Sequence, residues 1–174
     1  MRELVRHGST EQLVLRAVVA LGGMLFAGVL TLASGRDWFD LGTAVIPALL
    51  SIAAALYPRN VMPLALLLYL VILWVGVNDD VRTAWTLPAA ALILLIHSAS
   101  ALAAVLPIAA PVPRQMWVSW GGRIAALMGI TVIAWMIVRA MAGMDVPFAA
   151  FILLVSSGAF SIAALAHDRW AKRL

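Results

Sequence analysis

Cysteine is absent from the 174 residues. That excludes disulfides, thiolate metal sites and cysteine nucleophiles, and leaves the compartment open. Lysine occurs once, at Lys172, beside eleven arginines. Charged residues make up 11% of the chain, against roughly 25% in an ordinary soluble domain. No Asp, Glu or Lys falls inside any of the long apolar runs. Proton- and cation-coupled carriers usually keep an ionisable group within the membrane to take up and release the ion, so this gap argues against a proton-coupled antiporter. Small pores lined by backbone or hydroxyl oxygens stay open. HExxH, P-loop and GxSxG patterns are missing too, and with them common signatures of zinc hydrolysis, nucleotide binding and serine acyl transfer. No motif points to a cofactor.

What fills the chain instead is apolar. Hydrophobic residues reach 64% and mean hydropathy is +1.03. A water-soluble fold of this length cannot hide so much apolar surface, so lipid is the expected solvent. Net charge is +4. In a soluble protein that would raise nucleic acid as a partner, but here the basic residues sit between apolar runs, where membrane orientation explains them. Heavy use of Ala, Val, Leu and Arg fits the coding bias of a GC-rich bacterial genome.

A bilayer core of about 30 Å takes about 20 apolar residues per helix, with a range near 17–25. Six runs qualify: 17–33, 41–57, 61–77, 84–106, 124–141 and 148–166. The first is longer than a signal-peptide core, and Glu3 and Glu11 spoil a positive leader, so it reads as a span. Residues 1–15 then form a short cytoplasmic tail, 16–167 the transmembrane domain and 168–174 a basic cytoplasmic tail. Pro107, Pro111 and Pro113 make 107–123 an irregular or extended connection. The expected fold is an all-α integral membrane protein, a six-helix bundle built as three hairpins.

Six spans put both tails and the second and fourth connections on one side. That side carries nine basic residues: Arg2, Arg6, Arg16, Arg59, Arg114, Arg123, Arg169, Lys172 and Arg173. The other side carries three, Arg36, Arg82 and Arg139. The positive-inside rule places both termini in the cytoplasm. Trp38, Trp85, Trp117, Trp120 and Trp170 fall near span ends, as interfacial tryptophans do, while Trp74 and Trp135 lie deeper.

His97 is the one ionisable residue near the middle of a span, thirteen residues after Ala84. A proton relay, a quinone contact and a haem ligand are its functional readings. A bis-histidine haem needs a second intramembrane histidine, and His7 and His167 sit at the boundary. The plainer reading is a packing histidine bonded to a neighbouring Ser or carbonyl. Arg139, near the outer end of the fifth run, could meet an anionic lipid, pair with Asp145, or simply snorkel. Asp37, Asp40, Asp79 and Asp80, with Asn78, make an acidic outer rim, joined on that side by Asp145. Oxygen ligands suit a divalent cation, but the spacing matches no known loop, so solvated charges are the plainer reading. Met128, Met136, Met141 and Met144 share no strict face and read as core filler.

Small residues recur at helix-packing intervals: Gly23 and Ala27, Ala99 and Ala103, Ala125 and Gly129, Ser157 and Ser161. Such lines let backbones approach closely in lipid, within a bundle or toward a partner subunit. Pro47, Pro63 and Pro88 either kink their spans or mark where helices begin. A hairpin pattern hints at internal repetition: Arg16, Gly35-Arg36-Asp37 and Ser51-Ile52-Ala53-Ala54 are matched in order by Arg123, Gly143-Met144-Asp145 and Ser161-Ile162-Ala163-Ala164. With the Pro58-Arg59 joint and the span around His97, the chain resembles small multi-pass membrane proteins of high-GC actinobacteria. That resemblance implies a bundle in the bacterial cell membrane and brings no functional residues with it. Two functions fit the sequence. One is a non-enzymatic accessory or scaffold subunit of a cell-envelope complex, with lipid and other membrane subunits as partners. The other is a small transporter or channel for a lipid or neutral solute, as a homo-oligomer, with a polar cavity reaching His97.

Overall fold

The computed structural model describes residues 10–35, 41–78, 83–106 and 113–140. Every regular element among them is helical. Helix α1 is Thr10–Ser34; a π-helical turn, Leu41–Val45, leads into α2, Ile46–Leu56; α3 is Met62–Val77, α4 Thr86–Val105 and α5 Arg114–Ala140. The sixth expected span, 148–166, lies outside the described residues. The chain divides into two compact units, 1–131 and 132–174. Of the second, only 132–140 are described.

Proline sets the helix starts. Pro47 and Pro63 occupy the first two positions of α2 and α3, and Pro88 lies in the first turn of α4. The first N–H groups of a helix have no internal acceptor, so proline loses nothing there. All three prolines therefore mark beginnings rather than mid-helix kinks. Pro47 cannot donate to the carbonyl four residues back, and a widened π turn precedes it. Pro58 disfavours helical backbone at Tyr57, where α2 ends at φ −123°. Gly35 closes α1 at φ +60°, the left-handed position open to glycine.

Among the described residues, three helices, α1, α4 and α5, are long and apolar enough to cross a membrane. The shorter apolar helices are Gly42–Leu56 and Met62–Val77. The irregular connection expected over 107–123 is corrected in part: α5 starts at Arg114. It holds no proline after Pro113, and the helix runs on through Gly121 and Gly122 despite their low helix propensity. At 27 residues α5 is about 40 Å long, the hydrocarbon layer plus headgroup depth. Helix α1 likewise begins at Thr10, inside the expected tail.

Helix α1 is the hub, packing on α4 and α2 and more lightly on α3. Its buried stripe, Gln12, Leu15, Val19, Gly22, Gly23, Phe26, Ala27 and Leu30, keeps helical spacing. Pro63, Leu66, Leu70 and Trp74 do the same on α3. Phe26 and Trp74 meet edge to face, centroids 5.9 Å apart. Large aliphatics point outward: Leu64 is 69% exposed and Leu32 63%. A soluble monomer avoids an apolar surface of this extent; lipid welcomes it. The inside mixes large side chains with alanines at close contacts, Ala54, Ala89, Ala99 and Ala103 all being buried beside Phe26, Leu66 and Ile96. Serine hydroxyls bond within their own helices, as Ser51 Oγ donates to the Pro47 carbonyl at 2.6 Å and Ser98 Oγ to Leu94 at 2.7 Å, whereas the Tyr69 hydroxyl donates across to Gly42 at 2.7 Å.

Candidate functional site

Among the described residues, the buried polar side chains are Gln12, Thr43, Ser51, Asn78 and Ser100, none of them ionisable. No group of three or more His, Asp or Glu among those residues could hold a metal ion. His97 is exposed on the outer face of α4. Its backbone carbonyl accepts from Ser100 Oγ at 2.9 Å. Its imidazole makes no hydrogen bond among the described residues, and it lines neither the cavity beside Arg59 nor the one beside Trp120. The exposed Arg139 lies over the Trp135 ring, 5.2 Å from the centroid, one turn back on α5. Asp37, Asp40, Asp79, Asp80, Asp145, Ser157 and Ser161 lie outside the described residues. Asn78, beside the acidic pair, is buried, and its amide donates to the Trp74 carbonyl at the end of α3.

The small-residue positions part company. A Cβ on Gly23 would collide with the Ser51 side chain and meet the Pro47 carbonyl at 3.3 Å. At Gly22 it would stand 2.7 Å from Ile96. These two glycines let α1 lie against α2 and α4 at once. Ala27, Ala99 and Ala103 are buried in the same contacts. Ala125 and Gly129 are exposed, and a Cβ on Gly129 would meet no described residue within 4 Å. No residue of α5 is buried, although Trp117 and Trp120 rest against the core and stack edge to face at 5.5 Å.

One end of the bundle gathers side-chain donors onto helix C-termini. Gln12 Nε2 donates to the Leu106 carbonyl at 3.0 Å and to Ala103 at 3.4 Å. Arg16 Nη1 donates to Ala55 at 3.0 Å and Leu56 at 3.3 Å. Arg59 Nε donates to Ala104 at 2.9 Å. The last carbonyls of a helix have no internal donors and carry the negative end of its dipole. Cationic donors satisfy both demands for α2 and α4. A cavity of about 470 Å³ opens here, lined by Arg16, Tyr57, Arg59 and Asn60 together with Leu56, Pro58, Ala103 and Leu106. A second, about 520 Å³, lies between Leu102 and the first turns of α5, with Gln115, Ser119, Trp120 and Arg123 on its wall. The indole N–H of Trp120 is buried without an acceptor among the described residues.

Gln12, Arg16 and Arg59 did not stand out in the sequence as a site. The available signal was Arg59 next to Pro58, a cation at the stop of an apolar run, where exposed carbonyls attract one. No protein-family model matches the chain, and no curated protein or solved structure matches it significantly.

Proposed function

We propose that this protein is a non-enzymatic accessory or scaffold subunit of a larger complex in the bacterial inner membrane. In this reading it crosses six times as three hairpins, with both termini in the cytoplasm. The observation that carries it is α5, a 27-residue apolar helix without one buried residue. Every other described α-helix sinks a stripe of its residues into the bundle. On α5 the open line Gly122, Ala125, Ala126, Gly129 offers a close-approach surface for a helix of another subunit. A core of apolar side chains with no buried charge among the described residues supports a packing element rather than an ion pathway.

The test is purification from native membranes in mild detergent. A stoichiometric complex with a larger membrane protein is expected. A photo-crosslinker at Gly129 should capture that same protein. A stable, monodisperse species of this chain alone, crosslinking only to lipid, would sink the proposal. The second reading, a small transporter or channel for a lipid or neutral solute, draws on His97. Its outward imidazole can line a polar path only between copies of the chain, so that reading predicts a homo-oligomer of defined mass.

A further inference from the structure

We propose that the cavity between Arg16 and Arg59 binds the phosphate of an anionic glycerophospholipid headgroup. The inference does not depend on the accessory-subunit reading.

The charge balance favours an anion. The C-termini of α2 and α4 each present about −0.5 of an elementary charge, which two guanidinium groups more than offset. The α3 N-terminus, at the same turn, adds about +0.5. Among the described residues, no acid lines the cavity. Donors remain after the helix ends are served. Arg59 spends Nε on Ala104, which leaves its two terminal nitrogens as a planar fork suited to phosphate oxygens. Asn60 Oδ1 accepts the Val61 N–H at 2.8 Å, so its amide N–H groups stay free to donate, and Tyr57 lines the same cavity. The carbonyl contacts already hold both arginines in place, so less ordering is required on binding.

The surroundings select a lipid over free phosphate. Leu56, Pro58, Ala103 and Leu106 supply apolar wall beside the donors, suited to the glycerol and first acyl carbons. The cavity sits where α2 and α4 end, on the side that the basic residues assign to the cytoplasm. Anionic lipid is the expected counter-charge at that level, and basic pockets between helices there hold such headgroups.

The experiment uses the full chain in neutral detergent, titrated with phosphatidylglycerol, phosphatidylcholine or inorganic phosphate. Native mass spectrometry reads bound lipid, and thermal unfolding reads stability. Phosphatidylglycerol should bind at least about tenfold more tightly than phosphatidylcholine, and Arg59→Gln should remove about that factor. Arg59→Lys should fall between, keeping the charge without the fork. Arg114→Gln, outside the cavity, should bind as the parent does. Arg59 is exposed, so its variants should fold even where Arg16→Gln does not. Equal retention of the two lipids would overturn the proposal. So would full phosphatidylglycerol affinity in Arg59→Gln, which would leave Arg59 a helix cap only. An equal loss in Arg114→Gln, or displacement of the lipid by millimolar inorganic phosphate, would also reject it.

Discussion

Gly23 and Gly28 are two glycines of α1 with opposite surroundings. A side chain at Gly23 runs into Ser51 and Pro47, whereas Gly28 faces open space. Gly23→Val should lower stability by about 1–3 kcal/mol through overpacking. Gly28→Ala should hold or raise it by up to about 1 kcal/mol, since alanine favours helix. Unfolding midpoints in detergent check both, and a Gly23 variant as stable as the parent would reject the close α1–α2 contact. His97 makes a different prediction. An exposed side chain outside the packed core can be removed at little cost, so His97→Ala should change the stability of the purified chain by no more than about 0.5 kcal/mol. A larger loss would mean that the imidazole is packed after all. The sequence drew attention to His97 because it is polar at depth, yet could not give its direction. Both faces of α4 are apolar, one for the core and one for lipid, so hydrophobic periodicity does not separate them. Residue size only biases them: Ala89, Ala99 and Ala103 point in and Val105 is 77% exposed, yet Ile96 is buried and Ala101 exposed.

Helices in this chain were legible where proline, glycine or a charge ends an apolar run. The start of α5 was not, because its first ten residues are polar enough to pass for a loop. They also include Gly121-Gly122, a pair that in sequence reads as a turn. The donors at the ends of α2 and α4 were hidden for another reason. Gln12 reaches carbonyls more than ninety residues away, and no local pattern announces that pairing. The unburied face of α5 supports a contrast between elements. Gly129→Leu on α5 should leave the unfolding midpoint within about 0.5 kcal/mol of the parent and abolish co-purification of a partner. Ala99→Leu on α4, fully buried, should cost about 1–3 kcal/mol. If Gly129→Leu unfolds the chain, α5 is part of the bundle core rather than its docking face.

At the scale of the whole molecule the open question is whether the two shorter helices cross the bilayer. Helix α3 has 16 residues, about 24 Å against a hydrocarbon layer near 30 Å. A short span is accommodated by local thinning at a modest cost, but a re-entrant pair that dips in and returns has the same length. The hydrogen bonds favour crossing. Arg59, in the turn between α2 and α3, donates to Ala104, one residue from the end of α4, a 20-residue helix of about 30 Å. Arg16, in the second turn of α1, meets the end of α2. The turn at 57–60 thus stands level with the ends of two long helices, at the opposite end of α4 from its start. The absence of cysteine makes this directly measurable by single-cysteine labelling with an impermeant maleimide in intact cells. Asp80→Cys and Arg36→Cys should label at once. Asn60→Cys and Leu174→Cys should label only after permeabilisation. The decisive position is Asn60. A re-entrant pair leaves Asp80 and Arg36 outside just as six spans do, but it buries Asn60 in lipid, where it would resist the reagent even in opened membranes. Labelling of Asn60→Cys on permeabilisation requires α2 and α3 to cross, and its failure would reduce the bundle to the helices long enough to span unaided.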